Sequence, residues 1–393
     1  MPPPPKDYWF HLKYWGIIIP IAFLVPFIYN SIEILGIFKE IKSYNIETCQ
    51  KLLGPPGLDH CEDITLSNEP GVAYVSCDPL LAYRNKVMGF NRLKPGQPIE
   101  NGAIWRVAYD QKPAVIEKLG SGSLKSYHPL GISFDVHPVT GEKTIFTINL
   151  ADNEPPSIEV FTVDDVKQLV HKHTIRHQKI YNPNHVHVIQ SEQFRADDGT
   201  PSFFFSNDHY FNIPLLKHIE TYFLPWSNVG FYNARTGQVE KAVDGLLFAN
   251  GVAGTDDVLF VAETSAGVVR QYKINRKTDI EGVPHISLDY LNKIKVSGVP
   301  DNLHYHPDKE MLVIALHPKP TEFYKRIAAV DPATAPYASS GVEVWDVSTG
   351  ETKLILQDDG SLFSTSSGAV FDTKNSKLIV SGIYDKGLLV CDL

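Results

Sequence analysis

Along most of the chain the apolar positions come in short runs of β-branched and aromatic residues, each about five to eight long and introduced by a polar turn. Six runs stand out: GVAYVSCD from Gly71, TIFTINLAD from Thr144, SFFFSNDHY from Ser202, VLFVAET from Val258, MLVIALHP from Met311 and KLIVSGIYD from Lys377. Their spacing of roughly 50 to 75 residues leaves room for one four-stranded unit per interval, the sequence signature of a β-propeller. A β-sandwich with insertions has a comparably loose period; the pattern favours an all-β, six-bladed β-propeller over residues 49–393. Two stretches break the rhythm. In IPLLKHIETYFLPW, residues 213–226, Leu215, Leu216, Ile219, Tyr222 and Phe223 share one face of a predicted helix. Near the N-terminus no charged residue occurs from Tyr14 to Ile32, and WGIIIPIAFLVPFIY predicts a transmembrane anchor over residues 14–38, between a tail (1–13) and a linker (39–48). A cleaved signal peptide is the alternative, but no small-x-small site follows the run.

The polar positions carry a second signal. Residues with oxygen-bearing side chains precede several of the strands at one shared phase: Glu62 and Asp63 before the first, Asn184 before the third, Asn250 before the fourth, Asp301 and Asn302 before the fifth. In a propeller, equivalent positions at one end of the innermost strands converge on the axis. Glu62, Asn184, Asn250, Asp301 and Asn302 would then form a ring of two carboxylates and three amide oxygens, a donor set suited to Ca²⁺ and unsuited to zinc or copper. Singly, each reads as an ordinary turn residue; the shared phase makes them a set.

Composition narrows the chemistry. With 36 basic against 45 acidic residues the formal charge is −9, and no basic run exists, so nucleic acid is excluded as a partner. Eighteen Tyr, 20 Phe, 27 Gly and 28 Pro against three Met fit many short strands and tight turns. The four cysteines form no CxxC pair, which argues against a zinc ribbon or a thioredoxin-like site.

The segments CED (61–63), SNDHYF (206–211), FANG (248–251), VLFVAET with Tyr272 behind it, PDN (300–302), ALHP (315–318) and the terminal LLVCDL resemble, in order, the serum paraoxonase and arylesterase family of calcium-dependent lactonases. The resemblance implies a six-bladed propeller with two axial calcium ions, a retained hydrophobic N-terminus and hydrolysis of esters and lactones. By motif, the catalytic calcium falls to Glu62, Asn184, Asn250, Asp301 and Asn302. A second, structural calcium falls to Asp63, the backbone carbonyl of Ile132 and His185, where the family has an acid; a neutral imidazole suits hard Ca²⁺ poorly. The apolar face of the predicted 213–226 helix reads first as a packing face; the resemblance, which places this segment over the active-site mouth, adds a second reading as a lid beside a membrane.

The larger departure concerns proton transfer. The family's two histidine positions are occupied here by Leu130 and Leu150, and leucine cannot carry a proton. His128, Asp208 and His209 are the nearest replacements, with His317 behind them. The expected function is a membrane-anchored, calcium-dependent hydrolase of aryl esters or lactones, with Glu62 or Asp301 helping to activate water; the alternative is a non-catalytic membrane-anchored assembly factor or chaperone. Cys49 opens the propeller and Cys391 nearly closes it, so a disulfide between them is expected to lock the first and last strands of one blade. That bridge would place the propeller in the secretory lumen or outside the cell, with Cys61 and Cys77 free and buried.

Overall fold

The computed structural model describes residues 25, 28–164, 168–278 and 283–393. Six four-stranded antiparallel sheets lie around one axis. Their innermost strands are Cys61–Leu66 (blade I), Pro129–Val136 (II), Pro183–Val188 (III), Ala249–Gly254 (IV), Val299–His306 (V) and Ser366–Asp372 (VI). Each touches the next, and blade VI touches blade I, so the ring is closed. Blades I to V take their strands from the axis outwards in chain order. Blade VI is composite: Ser366–Asp372, Lys377–Gly382 and Leu388–Asp392 come from the C-terminal end, and the outermost strand, Cys49–Leu52, comes from the N-terminal side. Cys49 lies opposite Cys391 in that pairing, and the two are disulfide-bonded.

Strands buried on both faces explain the nearly continuous apolar runs. All six residues of Val72–Cys77 and all five of Phe203–Asn207 are buried. The core lies between blades: Phe146 and Ile148 of blade II, for example, pack with Val186, Phe203 and Phe205 of blade III.

All six innermost strands carry an irregularity in register near their first residues: at Cys61/Asp63, Pro129/Ile132, Pro183/Val186, Ala249/Val252, Pro300/Leu303 and Ser366/Gly368. A bulge leaves a residue without a cross-strand partner and re-aims its side chain. Six bulges at one phase therefore build one ring at one end of the axis. Glycine makes the crowding there possible: a Cβ on Gly131 would lie 2.5 Å from the Asn184 carbonyl oxygen, and one on Gly251 would lie 2.6 Å from that of Asp301.

In each blade the second strand ends beside the start of the first, so the connection to the third strand lies over the bulged end. Three alternate blades elaborate this connection. Blade I has a two-stranded ribbon, Arg84–Asn85 with Phe90–Asn91; blade III has helix α1, Pro214–Phe223; blade V has helix α2, Pro320–Ala328. The fold is thus a six-bladed propeller but not strictly all-β, and this corrects the expected class. The ribbon and both helices are where the chain leaves sheet geometry to cover the ring.

A second correction concerns the N-terminal segment. Among the described residues no helix is long and apolar enough to cross a membrane. This overturns the expected anchor over 14–38 and, with it, the membrane-anchored, single-pass assignment. Residues 14–24, 26 and 27 of that span lie outside the described residues. Its described part, helical over 28–34, carries Asn30, Ser31 and Glu33 and is held to the propeller by polar contacts. Glu33 pairs with Lys295 at 2.8 Å, the Leu35 carbonyl accepts from the Thr321 amide at 3.3 Å, and Lys39 donates to the carbonyls of Ser297 and Pro318. Helix α1 has ten residues, Pro214–Phe223, within the 213–226 stretch expected to be helical.

The cysteine expectation changes as well. Cys61 and Cys77 are buried, but they face each other across the first two strands of blade I and are bonded to one another. Strand register, which their separation of 16 residues does not reveal, brings them together.

Candidate functional site

The bulge residues are Glu62 in blade I, Leu130 and Gly131 in II, Asn184 and His185 in III, Asn250 and Gly251 in IV, Asp301 and Asn302 in V, and Ser367 in VI. Glu62, Asn184, Asn250 and Asp301 line one small cavity of about 50 Å³, together with Leu130, Phe248, Val299, His317 and, from α2, Pro320, Phe323 and Tyr324. Asn302 joins them by donating its amide to Glu62 Oε1 at 2.9 Å.

Four oxygens of this ring are buried with no hydrogen-bond donor: Glu62 Oε2 and the Oδ1 atoms of Asn184, Asn250 and Asn302. An unpaired buried oxygen costs about 1 to 3 kcal/mol, and four together require a shared explanation. Hydrogen bonds to neighbouring atoms of Asn184, Asn302, Glu62 and Asp301 hold these side chains in place. Asn184 donates Nδ2 to Asp208 Oδ2 at 3.4 Å, Asn302 donates to Glu62, and Asp301 Oδ2 lies 3.0 Å from His317 Nε2. Burial, followed by the negative charges of Asp63 and Asp301, holds the Glu62 carboxyl well above its ordinary range. A hard cation satisfies all these groups at once. Among the described residues no group of three His, Cys, Asp or Glu side chains is placed to hold a metal, so the fit rests on a mixed set of carboxylate and amide oxygens, the donors calcium takes.

The residues expected at a second calcium do not fit one. Asp63 Oδ2 accepts the Ile132 amide at 2.9 Å and lies 2.8 Å from His185 Nε2. His185 Nδ1 accepts the Val252 amide at 3.3 Å, so Nε2 carries the proton and donates to Asp63. His185 thus ties blades I, III and IV together through hydrogen bonds, with an N–H where a cation would sit.

The expected proton carriers are dispersed. His128 is buried away from the ring, its Nδ1 2.9 Å from Asp78 and its Nε2 3.0 Å from Asp152, the latter a close approach without hydrogen-bond alignment; Arg84 binds the same Asp152 at 2.5 Å. Asp208 orients Asn184 on one side and binds His209 Nδ1 at 2.7 Å on the other, while His209 Nε2 reaches Thr221 of α1 at 2.8 Å. His317 is the imidazole that borders the cavity. Its ring packs on Phe323, centroids 4.3 Å apart, and its Nδ1 is buried without a partner. Leu130 lines the cavity and Leu150 lies on a neighbouring one.

Phe323 and Tyr324 escaped the sequence reading. A proline at the first helical position and the i, i+4 pair Phe323 and Ile327 mark α2 in the chain, within a segment otherwise rich in turn residues. Asn85 carried no local signal; the ribbon delivers it.

An arylesterase profile matches residues 66–393. The chain belongs to the arylesterase family. Among curated members it is 25% identical over 367 residues to serum paraoxonase/arylesterase 2 of Bos taurus, covering 90% of this chain and 91% of that one. To serum paraoxonase/arylesterase 1 of Homo sapiens it is 26% identical over 328 residues, covering 80% and 83%. Of solved structures, a gluconolactonase from Xanthomonas campestris overlaps 88% of this chain and 99% of its own at 15% identity, with a TM-score of 0.44, too loose to support an argument. In this family member two apolar residues, Leu130 and Leu150, border the cavities at and beside the oxygen ring.

Proposed function

We propose that this arylesterase-family protein hydrolyses carboxylic esters, aryl esters foremost and lactones secondarily, at a calcium site formed by Glu62, Asn184, Asn250, Asp301 and Asn302. The observation that carries the reading is the set of four buried, unpaired oxygens: three belong to residues lining one 50 Å³ cavity, Glu62, Asn184 and Asn250, and the fourth to Asn302, which donates to Glu62. Calcium bound there supplies Lewis-acid polarisation of a carbonyl, a contribution on the order of several kcal/mol. The chain's own residues do the rest. Asp208 and Asn302 orient their neighbours so that bare oxygens face the axis. Asp301 holds His317 by Nε2, leaving Nδ1 as the unprotonated nitrogen that takes a proton from water. Leu130, Val299, Phe248 and Phe323 keep bulk water out.

With no histidine at positions 130 and 150, esters whose leaving group needs no protonation, such as phenyl esters, are the better substrates. The test is hydrolysis of phenyl acetate and of an unactivated alkyl lactone, each with calcium and with chelator. Expected are chelator-sensitive cleavage of the phenyl ester, slower cleavage of the lactone, and loss of about 10²-fold or more in the His317→Gln variant. Calcium binding without cleavage of any ester would overturn the hydrolase reading. Leu130 and Leu150 favour the non-catalytic assembly role in that event.

A further inference from the structure

A second cavity, about 520 Å³, lies on the bulged face beside the calcium ring. The two share Asn85 and Val87 as lining residues, so the ribbon of blade I forms the wall between them. Asn85 is fixed there, donating to the Tyr384 hydroxyl at 2.7 Å and accepting the Met88 amide at 2.9 Å.

The larger cavity is lined by three cations, Arg84, Lys86 and Lys217, against two carboxylates, Asp152 and Asp208. Both carboxylates are engaged: Asp152 by Arg84 and His128, Asp208 by His209, with Lys217 4.0 Å away. Lys86 has no carboxylate within ion-pair distance among the described residues; its ammonium donates to the Ala151 carbonyl. Lys217 donates to the carbonyl of Lys86 itself, which brings the two lysines onto one wall. Burial holds both ammonium groups below their ordinary range. The first turn of α1, which lacks a side-chain cap, contributes Pro214 and Lys217 to the same lining. Arg84 is held by Asp152 and lies 3.8 Å from Asp78, and Lys217 faces Asp208, so Lys86 is the cavity's cation without a carboxylate of its own; beside an uncapped helix start it is a setting for a monoanion.

Resting on the ester-hydrolase reading, we propose that this annex binds a carboxylate on the far end of the substrate, so that the enzyme selects esters bearing a free acid. Lys86 is the specificity-determining residue, Lys217 its support.

The experiment compares monophenyl succinate with phenyl acetate, and measures thermal stabilisation by succinate alone, in the wild type and in Lys86→Met and Lys86→Arg variants. Expected is a wild-type kcat/KM that favours the succinate ester, a fall of about tenfold in that ratio in Lys86→Met, and its retention in Lys86→Arg. Succinate should raise the melting temperature of the wild type and of Lys86→Arg but not of Lys86→Met. Cleavage of phenyl acetate with no effect of succinate and an unchanged ratio in Lys86→Met would overturn the annex while leaving the hydrolase intact. Succinate binding that depends on Lys86, with neither ester cleaved, would do the reverse.

Discussion

His185 shows how one side chain can join three blades. Its imidazole donates to Asp63 and accepts from Val252, linking three blades. Asp63 is 3% exposed, so a carboxylate at position 185 would leave two buried negative charges in contact. The His185→Asp variant is therefore expected to bind one more equivalent of calcium than the wild type and to melt lower than it in chelator. Calorimetric calcium titration reads the stoichiometry. An unchanged stoichiometry would show that Asp63 and Ile132 cannot form the rest of such a site.

Turns and helices show where neighbouring elements are joined. Glu69, in the turn between the first two strands of blade I, binds Arg106 of its own blade at 2.6 Å and Lys143 of blade II at 2.9 Å. The bond to Arg106, then that to Lys143, pulls the Glu69 carboxyl down to about 2 from its ordinary 4.5. A depressed carboxylate stabilises the fold above the unfolded value and loses that contribution as pH falls from about 4.5 towards 2. Since Glu69 is partly exposed, solvent screening keeps the effect small. Glu69→Gln should lower the melting temperature by at most about 2 °C at pH 7, and the two melting curves should converge as pH falls to about 2. A gap that persists in acid would mean that packing, not charge, is lost. Helix α1 is amphipathic in the opposite sense from most surface helices. Its polar Lys217, Glu220 and Thr221 are buried and serve the site, and Glu220 accepts the Tyr210 and Phe211 amides at 2.6 and 3.0 Å. Leu215, Ile219 and Phe223 are left exposed.

Closure of the propeller depends on one sheet built from both ends of the chain. The Cys49 and Cys391 bond spans 342 residues, that between Cys61 and Cys77 only 16. Chain entropy ranks them at about 5 kcal/mol or more against about 3. Replacing Cys49 and Cys391 together by alanine should therefore lower the melting temperature further than replacing Cys61 and Cys77. The opposite order, measured by calorimetry, would place the stabilisation in local strand packing rather than in ring closure.

Much of this was legible in the chain. Alternation of turns with buried β-branched and aromatic runs indicated six blades, because strands packed on both faces must be apolar throughout. The shared phase of Glu62, Asn184, Asn250, Asp301 and Asn302 indicated a ring, because equivalent positions of radially repeated strands meet at the axis. Three-dimensional packing settled what local pattern could not. Which residues of each motif face the axis depends on bulges, and a register shift leaves no compositional trace. The apolar stripe of residues 213–226 pointed to a buried face, yet the site required buried polar groups from α1 and turned the stripe outwards. Apolar continuity near the N-terminus measured hydrophobicity alone; the anchoring of Glu33 and Lys39 on the propeller depends on partners about 260 residues away, at Lys295 and Ser297.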